Sequence, residues 1–166
     1  MPNLRPSSRP DAAPDLAWGT AAEIAAAVTN GGMTAAAVVD QALARIAKLN
    51  TALNAFTAVT AERARARAKA IDSVQDKSRL PLAGVPFAVK NLFDVAGIVT
   101  TAGSKINRSN ALADRDSPLV ERLEAAGAVL VGALNMSVGN AHASAIASFS
   151  SRREMKIDGS LSARSR

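Results

Sequence analysis

The sequence predicts an α/β fold, with N-terminal helices followed by a β-α-β portion of a mixed sheet. Three observations carry that expectation. Apolar residues recur at helical spacing between Thr20 and Leu49. Two compact apolar runs, Val85–Val89 and Ala128–Ala133, flank a segment that begins Ser117-Pro118 and stops at Gly127. The 166 residues are 48% hydrophobic and 20% charged, which is the texture of a packed core and not of a disordered chain.

The elements follow in order. Residues 1–15 are polar and rich in proline, and are expected to form a flexible arm. Thr20 followed by Glu23 is a capping-box pattern, in which each end of the pair satisfies a backbone N–H of the other. It opens a helix whose apolar face is Ile24, Ala27 and Val28, closed by Asn30-Gly31-Gly32. Thr34 caps a second helix, with Val38, Val39, Ala42, Leu43, Ile46 and Leu49 on one face and Asn50 as its expected end. The spacing suggests that these two helices pair antiparallel. Residues 54–59 fit a short strand, and Thr60 starts a third helix, rich in alanine and arginine, to about Val74. Val85–Val89 reads as a buried strand, with Pro86 near its start or at an unpaired position. Residues 94–105 read as loop. Pro118 suits the first turn of a helix whose inward residues are expected to be Leu119, Val120 and Leu123. Ala128–Ala133 is then a continuous apolar strand, and the strand–helix–strand order implies parallel pairing.

Composition excludes several chemistries. The absence of cysteine rules out disulfides, thiolate metal sites and a cysteine nucleophile within the chain. A single histidine, His142, disfavours a histidine metal cage or a Ser-His-Asp triad, and the scattered Asp94, Asp114 and Asp116 suggest no metal site. No cofactor is expected. The net charge of +6 invites a nucleic-acid reading, yet aromatic residues are only 3% of the chain, too few for base-stacking platforms. The charge is also divided. The segment from Ser137 onward holds Arg152, Arg153, Lys156, Arg164 and Arg166 against Glu154 and Asp158, while the body is mildly basic. Within the body, Arg63, Arg65, Arg67 and Lys69 fall every second residue, which on a helix spreads them over two sides. A solvated helix surface is the expectation there, ahead of a phosphate track. No apolar run is long enough to span a membrane, and the first residues lack the apolar stretch of a secretory signal, so a cytoplasmic location is expected.

In parallel sheets ligands gather at the carboxyl ends of the strands. Lys90 stands at one such end and Asn135 just past another. A lysine that follows an apolar strand is either a partly desolvated general base or a side chain that reaches to water, and its surroundings decide between the two.

Three blocks carry a resemblance. Leu82-Ala-Gly-Val-Pro-Phe-Ala-Val-Lys90-Asn-Leu-Phe-Asp94 resembles the strand and lysine of the amidase signature family. Thr100-Thr-Ala-Gly-Ser104-Lys resembles the loop that follows, and Asp116 to Met136 resembles the next helix and strand, in the same order and spacing. Leu53-Asn-Ala-Phe56 resembles part of the family's N-terminal cap. The Phe87–Asp94 stretch and the run ending at Asn107 are most similar to the branch of carboxybiuret and allophanate-related hydrolases, followed by the amidase component of the transfer-RNA amidotransferases. The resemblance covers about residues 18–136 and implies an incomplete amidase-signature fold, with the amidase part at 16–136.

By position, the resemblance makes Lys90 the lysine of a Ser–Ser–Lys triad that hydrolyses amides without histidine or metal. It implies a small amide or a urea-derived carboxylate as substrate, and it implies association as a homodimer or with a small partner protein. No membrane partner is expected, and nucleic acid is disfavoured. Where many members carry an aspartate after the lysine, this chain has Asn91, read as a difference of branch. Both triad serines belong to a glycine- and serine-rich segment downstream of the Asn-Met pair, and no such segment follows Met136 here. Ser150-Ser151 lacks the glycines of that segment and receives neither role. The expectation is therefore a truncated chain with only the lysine, inactive alone. Residues 137–166 would form a disordered or frameshifted tail outside the family. The alternative reading is a non-catalytic fragment that acts as an interaction module.

Overall fold

The computed structural model describes residues 19–136. The expected arm at 1–15, the tail from 137 onward, His142 and Ser150-Ser151 lie outside the described residues. The element order is α1 (Ala21–Thr29), α2 (Ala35–Leu53), β1 (Phe56–Val59), α3 (Ala61–Asp72), a 3-10 turn at Lys77–Arg79, β2 (Pro86–Lys90), a second 3-10 turn at Ile106–Ser109, α4 (Pro118–Ala125) and β3 (Val129–Leu134). The sheet order is β1-β3-β2. β2 and β3 are parallel and β1 is antiparallel to β3, so the sheet is mixed as expected.

β3 is the central strand, and Val129 through Ala133 are buried on both of its faces, as a continuous apolar run requires. Val129 and Val131 face a core made with Ile24, Val28, Val39, Ile46, Ala68 and Ile71 from the three N-terminal helices. Leu130 faces a smaller core with Phe87, Val89, Val95 and Val120, under α4. Pro86 takes the first position of β2, where a missing N–H costs least.

Helix starts follow the local chemistry. The Thr20–Glu23 capping box is formed, with Glu23 N–H donating to Thr20 Oγ1 at 3.2 Å and Thr20 N–H donating to Glu23 Oε2 at 2.7 Å. That pairing, chiefly the Thr20 backbone N–H, lowers the Glu23 carboxyl below its ordinary pKa. The start of α2 is held from two sides. Thr34 Oγ1 accepts from Ala37 N–H at 3.1 Å, while Asp72 at the end of α3 accepts from Ala35 and Ala36 N–H at 2.7 and 3.0 Å. Three of the unpaired donors of a helix start are thereby satisfied, and the carboxylate sits at the positive end of the helix dipole.

Several sequence expectations need correction. α2 does not end at Asn50. It runs to Leu53, and Asn54 closes it in a left-handed conformation (φ 46°). Asn50 is inside the last turn, where its Oδ1 accepts from Phe56 N–H at 2.8 Å and folds the chain back into β1. Leu49 is half exposed and not part of the apolar face. The main helical partner of α2 is α3, not α1. The two run antiparallel, with Asp72 on Ala35 at one end and Arg65 on Asp40 further along. In α4, Val120 is buried and Leu123 half-buried, but Leu119 is 42% exposed.

The arginines of α3 form neither a free solvated face nor a phosphate track. Arg63 makes a two-pronged contact with Asp116, at 2.9 and 2.5 Å, and reaches Glu124 at 2.7 Å. Arg67 Nη2 donates to the Glu124 carbonyl at 2.6 Å, and Arg65 pairs with Asp40 at 2.9 Å. Arg63 and Arg67 thus fasten α3 to α4. The Arg63 hydrogen bond lowers the Asp116 carboxyl below its ordinary pKa, and Asp116 in turn raises the Arg63 guanidinium.

Gly132 is required by close approach. A Cβ there would overlap the Ala58 carbonyl oxygen and lie 2.9 Å from the Phe56 ring, at the point where both neighbouring strands shift register against β3.

Candidate active site

The parallel strands β2 and β3 end on the same side of the sheet, opposite each other at Lys90 and Leu134. The structure therefore brings Lys90 and Asn135 to one sheet edge, as strand-end reasoning expects. Their surroundings differ. Lys90 is solvent-exposed, with no apolar enclosure around it among the described residues. Asn135 is spent on structure: its N–H donates to the Ala55 carbonyl at 2.7 Å and its Nδ2 to the Asn54 carbonyl at 3.2 Å. It ties the end of β3 to the lead-in of β1.

Asn91 organises this edge. It is the one buried polar side chain among the described residues, 3% exposed. Its Nδ2 donates to Thr57 Oγ1 at 2.8 Å, and its Oδ1 accepts from Thr101 N–H at 2.8 Å. Its main-chain N–H donates to Leu134 O at 2.9 Å, and its carbonyl accepts from Ala102 N–H at 2.8 Å. One residue thus joins β1, β3 and the 101–103 loop immediately after Lys90. Thr57 completes the link by donating Oγ1–H to the Ala133 carbonyl at 3.2 Å. The loop is braced further along by Asn107 Nδ2, which donates to Thr101 O at 3.0 Å, and by Ser104 N–H, which donates to the same oxygen at 2.8 Å.

The result is a cleft of about 670 Å³ between the start of β1 and the 97–108 loop. Its lining among the described residues includes Asn54, Thr57, Asn91, Ser104, Lys105 and Arg108, and no carboxylate. Lys90 borders this region through Asn91 but does not line the cleft itself. Among the described residues, no three acidic or histidine side chains cluster to hold a metal ion, and no helix is long and apolar enough to cross a membrane. The roles of Thr57 and Thr101 had no sequence signal, because their partners lie tens of residues away or in a loop of unspecified path.

Strand-end lysine, braced loop and mixed sheet define a segment of an α/β domain, and comparison with known proteins assigns the family. The family model described as Amidase matches residues 37–151, a stretch that continues past Met136. The chain belongs to the amidase family. It is 52% identical over 116 residues to AtzE, a subunit of 1-carboxybiuret hydrolase from Pseudomonas sp. (strain ADP), a match covering 69% of this chain and 25% of that protein. It is 48% identical over 116 residues to the A component of the glutamyl-tRNA(Gln) amidotransferase of Anaeromyxobacter dehalogenans (strain 2CP-C), covering 69% and 23%.

Among solved structures, the fold superposes on an inhibitor-bound complex described as a vestigial protein complex that reveals the evolutionary origins of an s-triazine catabolic enzyme. The TM-score is 0.67 and the identity 50%, over 71% of this chain and 26% of that one. It also superposes on the native peptide amidase of Stenotrophomonas maltophilia with a TM-score of 0.66 and 30% identity, over 74% and 26%. The chain therefore spans about a quarter of the length of the relatives it matches, and its fold is part of the amidase-signature fold.

Proposed function

We propose that this chain is the lysine-bearing segment of an amidase that hydrolyses a small amide or urea-derived carboxylate through a Ser–Ser–Lys triad, and that Lys90 is its triad lysine. The observation that carries the reading is the position of Lys90. It is the last residue of a strand parallel to β3, beside a loop fixed by Asn91, in a chain half identical to a component of a carboxybiuret hydrolase. In this mechanism the neutral amine takes a proton relayed through a bridging serine from the serine that attacks the amide carbonyl, and returns it to the leaving nitrogen. Backbone N–H groups would hold the oxyanion.

Exposure of Lys90 fits a divided site. The groups that would enclose and desolvate it belong to the downstream part of the family domain, together with both serines. The chain by itself is proposed to have no acyl-enzyme route and hence no turnover. The test is ammonia release from small amides by the full 166-residue chain and by Lys90→Ala. Equal, background rates are expected. Amide hydrolysis by the chain that survives Lys90→Ala would contradict the role assigned to Lys90.

A second reading is an interaction module. Among the described residues β2 hydrogen-bonds to β3 on one side and is an edge strand on the other, and Leu92, just past its end, is 43% exposed. An uncovered edge is a template for pairing. The solved relative described as a vestigial protein complex makes association with a partner chain a natural companion to this reading. Gel filtration and sedimentation of the purified chain separate the two. A cooperatively melting monomer would count against the module.

A further inference from the structure

The cleft beside Asn91 has a charge pattern that the triad does not use. Lys105 and Arg108 line it, and none of its lining residues among the described ones is acidic. Among the described residues, Arg63 bonds Asp116 and Glu124, and Arg65 bonds Asp40. Lys105 and Arg108 have no such partner among the described residues, and both are exposed. Asp94, just ahead of the loop, accepts from Thr100 Oγ1 at 2.5 Å, and neither it nor Asp114, which follows Arg108 in sequence, lines the cleft.

The loop that carries the two cations is also pre-shaped. Thr101 N–H and Ala102 N–H are held by Asn91, Asn107 and Ser104 bond Thr101 O, and a 3-10 turn places Lys105 and Arg108 one turn apart. Neutral side chains able to donate also line the cleft, notably Ser104 and Asn54. A guanidinium and an ammonium beside neutral donors suit a planar, compact anion, which a guanidinium can grip in a fork.

We propose that this cleft is a carboxylate subsite in which Lys105 and Arg108 receive the anionic end of a small amide-bearing acid, leaving its amide towards the strand end at Lys90. The identity of the ligand as an amide rests on the amidase reading. The subsite itself does not, and it is tested by binding alone.

The experiment is a ¹⁵N chemical-shift titration of the full chain with malonamate, which carries one amide and one carboxylate. Malonamide serves as the uncharged counterpart and inorganic phosphate as a second anion. The subsite predicts saturable shifts centred on residues 101–108 with malonamate, and no saturation with malonamide at the same concentrations. The double variant Lys105→Gln/Arg108→Gln should weaken malonamate at least tenfold with an unchanged spectrum elsewhere, whereas Arg122→Gln on α4 should leave binding unaltered.

Equal response to malonamide, equal loss with Arg122→Gln, or tighter binding of phosphate than of malonamate would each overturn the proposal. Because these readouts need no turnover, loss of the subsite would leave the role of Lys90 standing, and failure of Lys90 as a base would leave the subsite standing.

Discussion

Asn91→Ala isolates the bracing of the site from the chemistry of Lys90. The substitution removes two side-chain hydrogen bonds, from Asn91 Nδ2 to Thr57 and from Thr101 N–H to Asn91 Oδ1, both at 2.8 Å and around a side chain only 3% exposed. A net hydrogen bond contributes about 1 kcal/mol, and a donor left unmet in a half-buried place costs more, so the expected loss is about 2–3 kcal/mol. The main-chain bonds of residue 91 to Leu134 and Ala102 remain, so the strand end should persist while the loop loosens. Thr101 is the reporter, because its N–H loses its acceptor directly. About 2 kcal/mol of local opening corresponds to roughly a 30-fold faster amide exchange. Hydrogen exchange read by NMR on the wild-type chain and the variant measures this. Asn91→Asp keeps an acceptor for Thr101 and should retain more of its protection than Asn91→Ala. Unchanged exchange at Thr101 in Asn91→Ala, alongside a lower melting temperature, would refute the claim that Asn91 holds the loop.

Three further perturbations follow from the same contacts. Asp116→Asn weakens the Arg63 clamp and should cost about 2 kcal/mol at neutral pH, a figure reduced for the partial exposure of the pair. Because the folded state lowers the Asp116 pKa, its stabilisation is present above the ordinary carboxylate range and is lost as pH falls through the lowered value. Urea midpoints of wild type and variant should therefore converge below about pH 4, and a constant gap would count against the clamp. Gly132→Ala drives a methyl group into the Ala58 carbonyl and should cost about 3 kcal/mol or more, seen as loss of a cooperative thermal transition or a large drop in its midpoint. Asp72→Ala strips the carboxylate from the start of α2 and should cost about 1–2 kcal/mol, with faster exchange at Ala35 and Ala36 than at Ala37, which keeps Thr34.

What was legible in the sequence was local. The Thr20–Glu23 box, the Pro118 helix start and the two apolar strands each depend on residues a few positions apart, and each formed. The end of α2 was not legible because Asn50 looks like a terminator, whereas its side chain is bound by Phe56 six residues on. The arginines of α3 looked dispersed because their acceptors, Asp116 and Glu124, are more than 50 residues away. The pairing of β1 with β3 and the cap that Asp72 places on α2 were hidden for the same reason. At the site, Lys90 was visible as a strand-end lysine, but its exposure was not, since enclosure depends on which surfaces meet it. Asn91 was visible only as a substitution for aspartate. Its four partners come from three separate parts of the fold.

The most direct measurement for the role of Lys90 is a graft. Residues 19–136 of this chain would replace the matching segment of AtzE, the carboxybiuret hydrolase component that is 52% identical to it. The value of kcat/KM for that enzyme's own substrate would then be measured with Lys90 and with Lys90→Ala. If Lys90 is the triad lysine, the graft is active and its kcat/KM falls by at least about a thousandfold in Lys90→Ala, the scale of removing a proton-transfer residue. A folded graft that hydrolyses the substrate equally well with alanine at position 90 would contradict that role.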